Sequence, residues 1–130
     1  MRIVDSGVLI GYFVSSDEHH ARSVEILKQF SDEKLLCTTA VFQETVEFIR
    51  KAQDNFRAVR AAKTMLDWER LEFEFLTKSQ VSEATRLMEK FTRFSFCDAL
   101  TTAVAEERGI RQVLSFDSHF DAVKHLKRLS

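Results

Sequence analysis

Apolar positions change their period along the chain, and each change marks an element. Ile3 and Val4 form a short apolar run that stops at the turn signal Asp5-Ser6-Gly7, which predicts a strand over residues 2–5 and a short helix over 8–13. Ser15-Ser16-Asp17-Glu18 reads as a helix start, capping side chains followed by acids suited to the positive end of the helix dipole. From there Ala21, Val24, Leu27 and Phe30 recur every third residue, a helical spacing that reaches about residue 31. Residues 34–38 read as a second strand, and Thr39 as the cap of a helix whose inner face is Val41, Thr45, Phe48 and Ile49. Asp54 or Asn55 restarts a helix that runs to about residue 70. Leu71, Phe73 and Phe75 alternate with Glu72 and Glu74, the period of a half-exposed strand, suited to a sheet edge. Thr77 and Gln80 fit a capping box ahead of a helix over 81–90. A helix over 98–108 stops at Gly109, residues 112–115 read as the last strand, and 118–129 as a closing helix.

Strands alternating with helices predict one α/β domain over residues 1–130, with a central, mostly parallel sheet of four to five strands flanked by helices. At 130 residues, 45% apolar and with 12 Phe, the chain can bury a real core. With no Pro and only 3 Gly, no stretch reads as a linker. The formal net charge of -1 gives no global reason to bind nucleic acid, so any such contact must be local. Cys37 and Cys97 lack the spacing of a metal site and read as packed, reduced thiols. No charged-then-apolar leader opens the chain, and no run approaches the roughly 18 apolar residues of a membrane span. A soluble, cytoplasmic protein is the expectation.

The chemistry lies in four acids. Asp5 and Asp117 close apolar runs, at strand ends; Asp98 opens a helix, and Glu44 lies in a helical stretch among Val41, Phe42, Val46 and Phe48. Parallel α/β sheets bind ligands outside the carboxyl ends of their strands, so this topology permits all four to share one rim. Singly, each has a plainer reading: Asp5 and Asp117 as turn formers, Asp98 as a helix cap, Glu44 as a solvated face residue. Jointly, carboxylates brought together out of water call for a compensating cation, and a divalent metal is the simplest.

The segments Ile3-Val4-Asp5-Ser6-Gly7-Val8-Leu9-Ile10, Thr38-Thr39-Ala40-Val41-Phe42-Gln43-Glu44, Phe96-Cys97-Asp98-Ala99-Leu100 and Leu114-Ser115-Phe116-Asp117-Ser118-His119-Phe120 resemble, in order and spacing, the four acidic motifs of PIN-domain nucleases. The subgroup they resemble most is the VapC-like toxins of toxin–antitoxin pairs. There are two departures: Gly7 stands where the family often has Asn or Ser, and His119 where it often has a further acid. The resemblance implies a metal-dependent endoribonuclease that hydrolyses single-stranded RNA, a small antitoxin as partner, and a homodimer. Asp5 and Asp98 would be core ligands of Mg²⁺ or Mn²⁺, with Asp117 completing the site and Glu44 holding a water or second ion. Such ions prefer oxygen donors. Ser6 and Ser115 are candidates to orient the carboxylates by hydrogen bonds.

Arg57, Arg60 and Lys63 on one helix, and Lys124, Lys127 and Arg128 near the end, are candidate phosphate contacts, though each set also reads as a solvated basic surface. His19 and His20 read as surface residues, and the Phe residues at 91, 94 and 96 as packing. A receiver domain would want an acidic pair after the first strand, and an aspartate-nucleophile phosphatase a second Asp where Gly7 stands. A housekeeping RNA-processing nuclease, or a non-cleaving binding module, is the remaining alternative.

Overall fold

The computed structural model describes residues 1–130. Five strands, β1 (Arg2–Val4), β2 (Leu35–Thr38), β3 (Leu71–Glu74), β4 (Gln112–Leu114) and β5 (Lys127–Leu129), form one sheet in the order β3-β2-β1-β4-β5, and every pairing is parallel. Six helices connect them: α1 (Ser6–Phe13), α2 (His20–Gln29), α3 (Thr39–Ala52), α4 (Asn55–Asp67), α5 (Lys78–Lys90) and α6 (Phe96–Glu107), with a 3₁₀ turn at Ser118–Ala122.

Strand side chains alternate between two cores, as the two-residue period requires. Ile3, Leu36 and Val113 face α5, α6 and Phe120 on one side. Val4, Leu35, Cys37 and Leu114 face α1 to α4 on the other. Central strands buried on both faces read as unbroken apolar runs, which is why Ile3-Val4 and Leu35-Leu36-Cys37 carry no polar residue. Edge strand β3 buries Leu71 and half-buries Phe73, but it ends at Glu74 and leaves Phe75, expected on the inner face, exposed.

Several local signals act as read. Asp54 accepts the Arg57 N–H at 2.7 Å and caps α4. Thr77 and Gln80 form a reciprocal capping box on α5. Gly109 adopts φ 66 just past α6, the left-handed conformation that costs a side chain most. Other boundaries move. Thr38, one residue earlier than expected, caps α3 by accepting the Val41 N–H at 3.1 Å. The α2 helix starts at His20, after turns at residues 15–19, and buries Ser23, Ile26 and Leu27 while Val24 faces solvent. The α4 helix ends at Asp67, freeing Arg70 to donate to the Leu27 and Phe30 carbonyls at 2.8 Å each and close the end of α2.

The largest departure is the C-terminus. The closing helix expected over 118–129 is a 3₁₀ turn followed by strand β5. Phe120, Val123, Leu126 and Leu129 do recur at helical spacing, but the open edge of β4 offers backbone donors and acceptors. Lys127 N–H bonds Arg111 O at 2.8 Å and Ser115 N–H bonds Leu129 O at 3.0 Å, while Val123 and Leu126 are still buried. Pairing that edge outweighs a weak local preference. No helix is long and apolar enough to cross a membrane.

Candidate active site

Strand order reverses direction at β1: the chain moves outward through β2 to β3, then returns to place β4 on the other side of β1. The crevice outside the carboxyl ends of β1 and β4 is therefore the switch point where α/β sheets bind ligands. A cleft of about 480 Å³ opens there, and Asp5, Glu44, Asp98 and Asp117 all line it.

Register builds the site. Val4 pairs with Leu114, so the residues that follow them, Asp5 and Ser115, leave the sheet side by side, held by the Asp5 N–H to Leu114 O bond at 3.0 Å. The Ser115 hydroxyl donates to Asp5 Oδ2 at 2.7 Å and accepts the Asp117 N–H at 3.0 Å, so one buried oxygen ties both strand-end acids together. Ser6, also buried, lines the cleft, and its backbone N–H lies close enough to Asp5 to favour the ionised carboxylate. Asp98 is the third residue of α6 rather than its cap. Ser95 takes that role, and the two exchange reciprocal bonds, Ser95 N–H to Asp98 Oδ2 and Asp98 N–H to Ser95 Oγ, both at 3.0 Å. Asp117 caps the 3₁₀ turn by accepting the His119 N–H at 2.9 Å. Glu44 was expected among buried helix residues; it is exposed, at the lip, because the buried stripe of α3 is Val41, Thr45 and Ile49.

The electrostatics are those of charge held out of water. Asp5 and Asp98 are each 6% exposed. Burial, aided by Asp98 and Glu44 and opposed by the Ser115 hydrogen bond, pushes Asp5 up to about 7. Burial and the neighbouring Asp117 raise Asp98, against the pull of Ser95 and His119. Burial, then Glu44, Asp5 and Asp98, push the Cys97 thiol upward as well, and burial takes Cys37 to about 12. Both cysteines are free, and both thiols stay protonated. No Lys or Arg forms an ion pair with any of the four acids; only His119 Nδ1 approaches, 3.1 Å from Asp117 Oδ1 and 3.8 Å from Asp98 Oδ2. That nitrogen is buried and not aligned for a hydrogen bond.

The donor set fits a divalent metal. One ligand atom each from Asp98, Asp117 and His119 lie within 4.8 Å of one another. A cation would offset the like-charge and desolvation penalties that raise Asp5 and Asp98.

Besides Ser95, which caps α6 and holds Asp98, two further polar cleft residues escaped sequence reading. His19, read as a surface residue, stacks on Phe116 with ring centroids 4.2 Å apart and lines the cleft. Arg93 lines it too; its place five residues before Asp98 was the available signal. The expected phosphate contacts lie elsewhere. Lys124 and Lys127 border a groove with Arg111 and Gln112, at the amino ends of β4 and β5, the opposite edge of the sheet from the acids. Arg128 is paired with Asp121 and close enough to Asp117 to feel its charge, without lining the cleft. Arg57, paired with Asp54, and Arg60 line a separate groove against Phe13 and Ile49, and Lys63 is exposed on the same helix.

An all-parallel sheet in this order with acids gathered at its switch point describes the PIN-domain class. Residues 2–126 match the PIN domain family, and the chain belongs to it. It is 27% identical to a VapC ribonuclease of Archaeoglobus fulgidus over 124 residues, covering 91% of this chain and 78% of that protein. Its fold is similar to that of Mycobacterium tuberculosis VapC20, described as a sarcin–ricin loop cleaving toxin, with TM-score 0.86, 21% identity and 96% of each chain covered. It is also similar to VapBC2 of Rickettsia felis bound to a promoter DNA fragment, with TM-score 0.71, 11% identity, and 99% and 98% covered.

Proposed function

We propose that this protein is a metal-dependent endoribonuclease and the toxin of a toxin–antitoxin pair, cutting single-stranded RNA in the cytoplasm through Asp5, Glu44, Asp98 and Asp117. The observation that carries the reading is that all four carboxylates line one cleft at the switch point of the sheet. The relatives named above support it: one is a VapC ribonuclease, another a sarcin–ricin loop cleaving toxin.

Asp5, Asp98 and Asp117 would hold Mg²⁺ or Mn²⁺, hard ions suited to oxygen donors. When bound, such an ion supplies charge neutralisation and Lewis acidity at the phosphate. The chain's own residues do the positioning. Ser115 fixes Asp5, Ser95 fixes Asp98, and the His119 backbone fixes Asp117, so the carboxylates need little reorganisation when substrate arrives. Glu44, the least tethered of the four, orients the attacking water and accepts its proton on a carboxylate oxygen. Attack of the water oxygen on phosphorus breaks the P–O3′ bond, and the departing 3′ oxygen takes a proton from solvent, leaving 5′-phosphate and 3′-hydroxyl ends.

Four carboxylates without a cationic ion-pair partner from their own chain also suit a small antitoxin that inserts an Arg or Lys among them. Exposed Phe56, Val59 and Leu66 on α4 offer an apolar face for a second copy in a homodimer. The test is cleavage of end-labelled total RNA by purified protein in Mg²⁺ or Mn²⁺, with and without EDTA, followed by mapping of the product ends. Metal-dependent cutting with 5′-phosphate ends, lost in Asp98→Asn, is the expected result. Full activity in EDTA, or 2′,3′-cyclic phosphate ends, would rule the mechanism out.

A further inference from the structure

An acidic cleft repels the polyanion it is meant to hold. Four carboxylates line it, and the chain as a whole carries a charge of -1, so an RNA strand needs fixed positive charge close to the acids. Of the 19 Lys and Arg residues, Arg93 alone lines the cleft. The arginines held in ion pairs are Arg2, Arg22, Arg57, Arg86, Arg108 and Arg128; Arg93 is in none of them.

Its backbone is pinned on the side toward α6. Phe94 is buried, lies 4.8 Å from the Phe91 ring and 5.9 Å from Phe120, and donates its N–H to Phe91 O at 3.0 Å. Ser95 is locked to Asp98 by the reciprocal caps described above. Between these anchors and the end of α5, Arg93 has a fixed root and an exposed, uncommitted guanidinium.

A second groove adjoins the cleft. It has a volume of about 280 Å³, and its lining includes Lys90, Phe91 and Ser118 together with Arg93 and His119, the two residues it shares with the acidic cleft. Arg93 and His119 are thus the saddle between two depressions, acidic on one side and basic on the other. Lys90 supplies the positive charge beyond the saddle, its ammonium 5.3 Å from the Phe91 ring centroid.

We propose that this groove is a nucleotide subsite. A single RNA strand engaged at the acids continues over the Arg93–His119 saddle, with Arg93 holding the phosphate next to the one cut and Lys90 the phosphate after it. The inference rests on the nuclease reading above. The groove is small, about 280 Å³, which suits an unpaired strand rather than a duplex, and phosphate contacts of this kind set register and orientation without reading sequence. Arg93 is accordingly a positioning residue, acting on substrate placement rather than on the reacting atoms.

The test is steady-state cleavage of short single-stranded RNAs by the Mn²⁺-loaded protein over a series of salt concentrations. The RNAs are extended one nucleotide at a time at either end. Wild type is compared with Arg93→Gln, Arg93→Lys and Lys90→Gln, with melting temperature as the control for folding. Arg93→Gln should raise KM about tenfold with kcat changed less than about twofold, a loss near that of one phosphate contact. It should also reduce the salt slope of kcat/KM by roughly 0.7, the single-strand value per phosphate. Arg93→Lys should recover most of both. One nucleotide added on the groove side should lower KM for wild type and not for Lys90→Gln. An active wild type whose KM, salt slope and length dependence are all matched by Arg93→Gln would overturn the subsite alone. A wild type that neither binds nor cuts RNA would take the nuclease reading down with it.

Discussion

Asp5 and Ser115 are 110 residues apart in sequence and joined by a 2.7 Å hydrogen bond at the floor of the acidic cleft. Ser115 is fully buried, and its hydroxyl also receives the Asp117 N–H. The bond lowers the proton affinity of Asp5 against the burial that raises it. Ser115→Ala removes the donor to one acid and the acceptor for the other. It should lower stability by about 1–3 kcal/mol, the usual cost of leaving buried polar groups unpaired. It should also weaken Mn²⁺ binding, since Asp5 becomes harder to ionise. Denaturant melts and metal titration of the variant measure both.

Apo stability should fall as pH rises from about 4 to 7. In the unfolded chain Asp5 ionises near 3.8, and in the folded protein it holds its proton to about 7. Between those values the native state binds more protons, so raising pH favours unfolding. The penalty is absent below pH 4 and complete above pH 7, where it reaches at most about 4 kcal/mol at 1.36 kcal/mol per unit. Asp98 is shifted in the same direction and adds to it. Urea melts in EDTA at pH 5 and pH 7.5 should show the loss, and Asp5→Asn should flatten it. A wild type that grows more stable over this range would contradict the burial of Asp5.

Divalent metal should reverse that penalty. Mn²⁺ or Mg²⁺ that binds only the folded chain at 100 times its Kd stabilises by about 2.7 kcal/mol, a shift of several degrees in Tm. Asp98→Asn should remove most of the shift, because it takes the charge from a buried member of the cluster while leaving an oxygen to accept the Ser95 N–H. An unchanged Tm in saturating metal would count against the site.

Asp117→Asn separates charge from structure. Asn keeps an acceptor for the His119 N–H, so the 3₁₀ turn retains its cap. One negative charge leaves a cluster that already raises Asp98. Apo stability should therefore hold or increase while cleavage is lost. If the variant unfolds instead, Asp117 serves the turn and not the metal.

Much of this architecture is legible in local pattern. Ile3-Val4 followed by Asp5 marks a buried strand and its end, Thr77 with Gln80 marks a helix start, and the alternation from Leu71 marks an edge strand. These signals depend on neighbours a few residues apart, which the chain carries wherever it goes. Residues 118–129 show the limit. Their apolar spacing is helical, yet they turn and pair with β4, because an open strand edge is a property of the assembled sheet.

The sequence by itself determined the α/β class, the order of the elements as far as β4 and the candidate acids at strand ends and in helices, since periodicity, caps and strand-ending carboxylates are local chemistry. Only the tertiary structure decided what surrounds those acids. The register that sets Val4 beside Leu114 brings Ser115 to Asp5, and the Phe94 anchor holds Arg93 at the rim. It also sends Lys124 and Lys127 to the far end of the sheet. Which charges face one another is settled by chain reversals and strand pairing between distant segments, and no local pattern encodes the direction in which a folded chain returns.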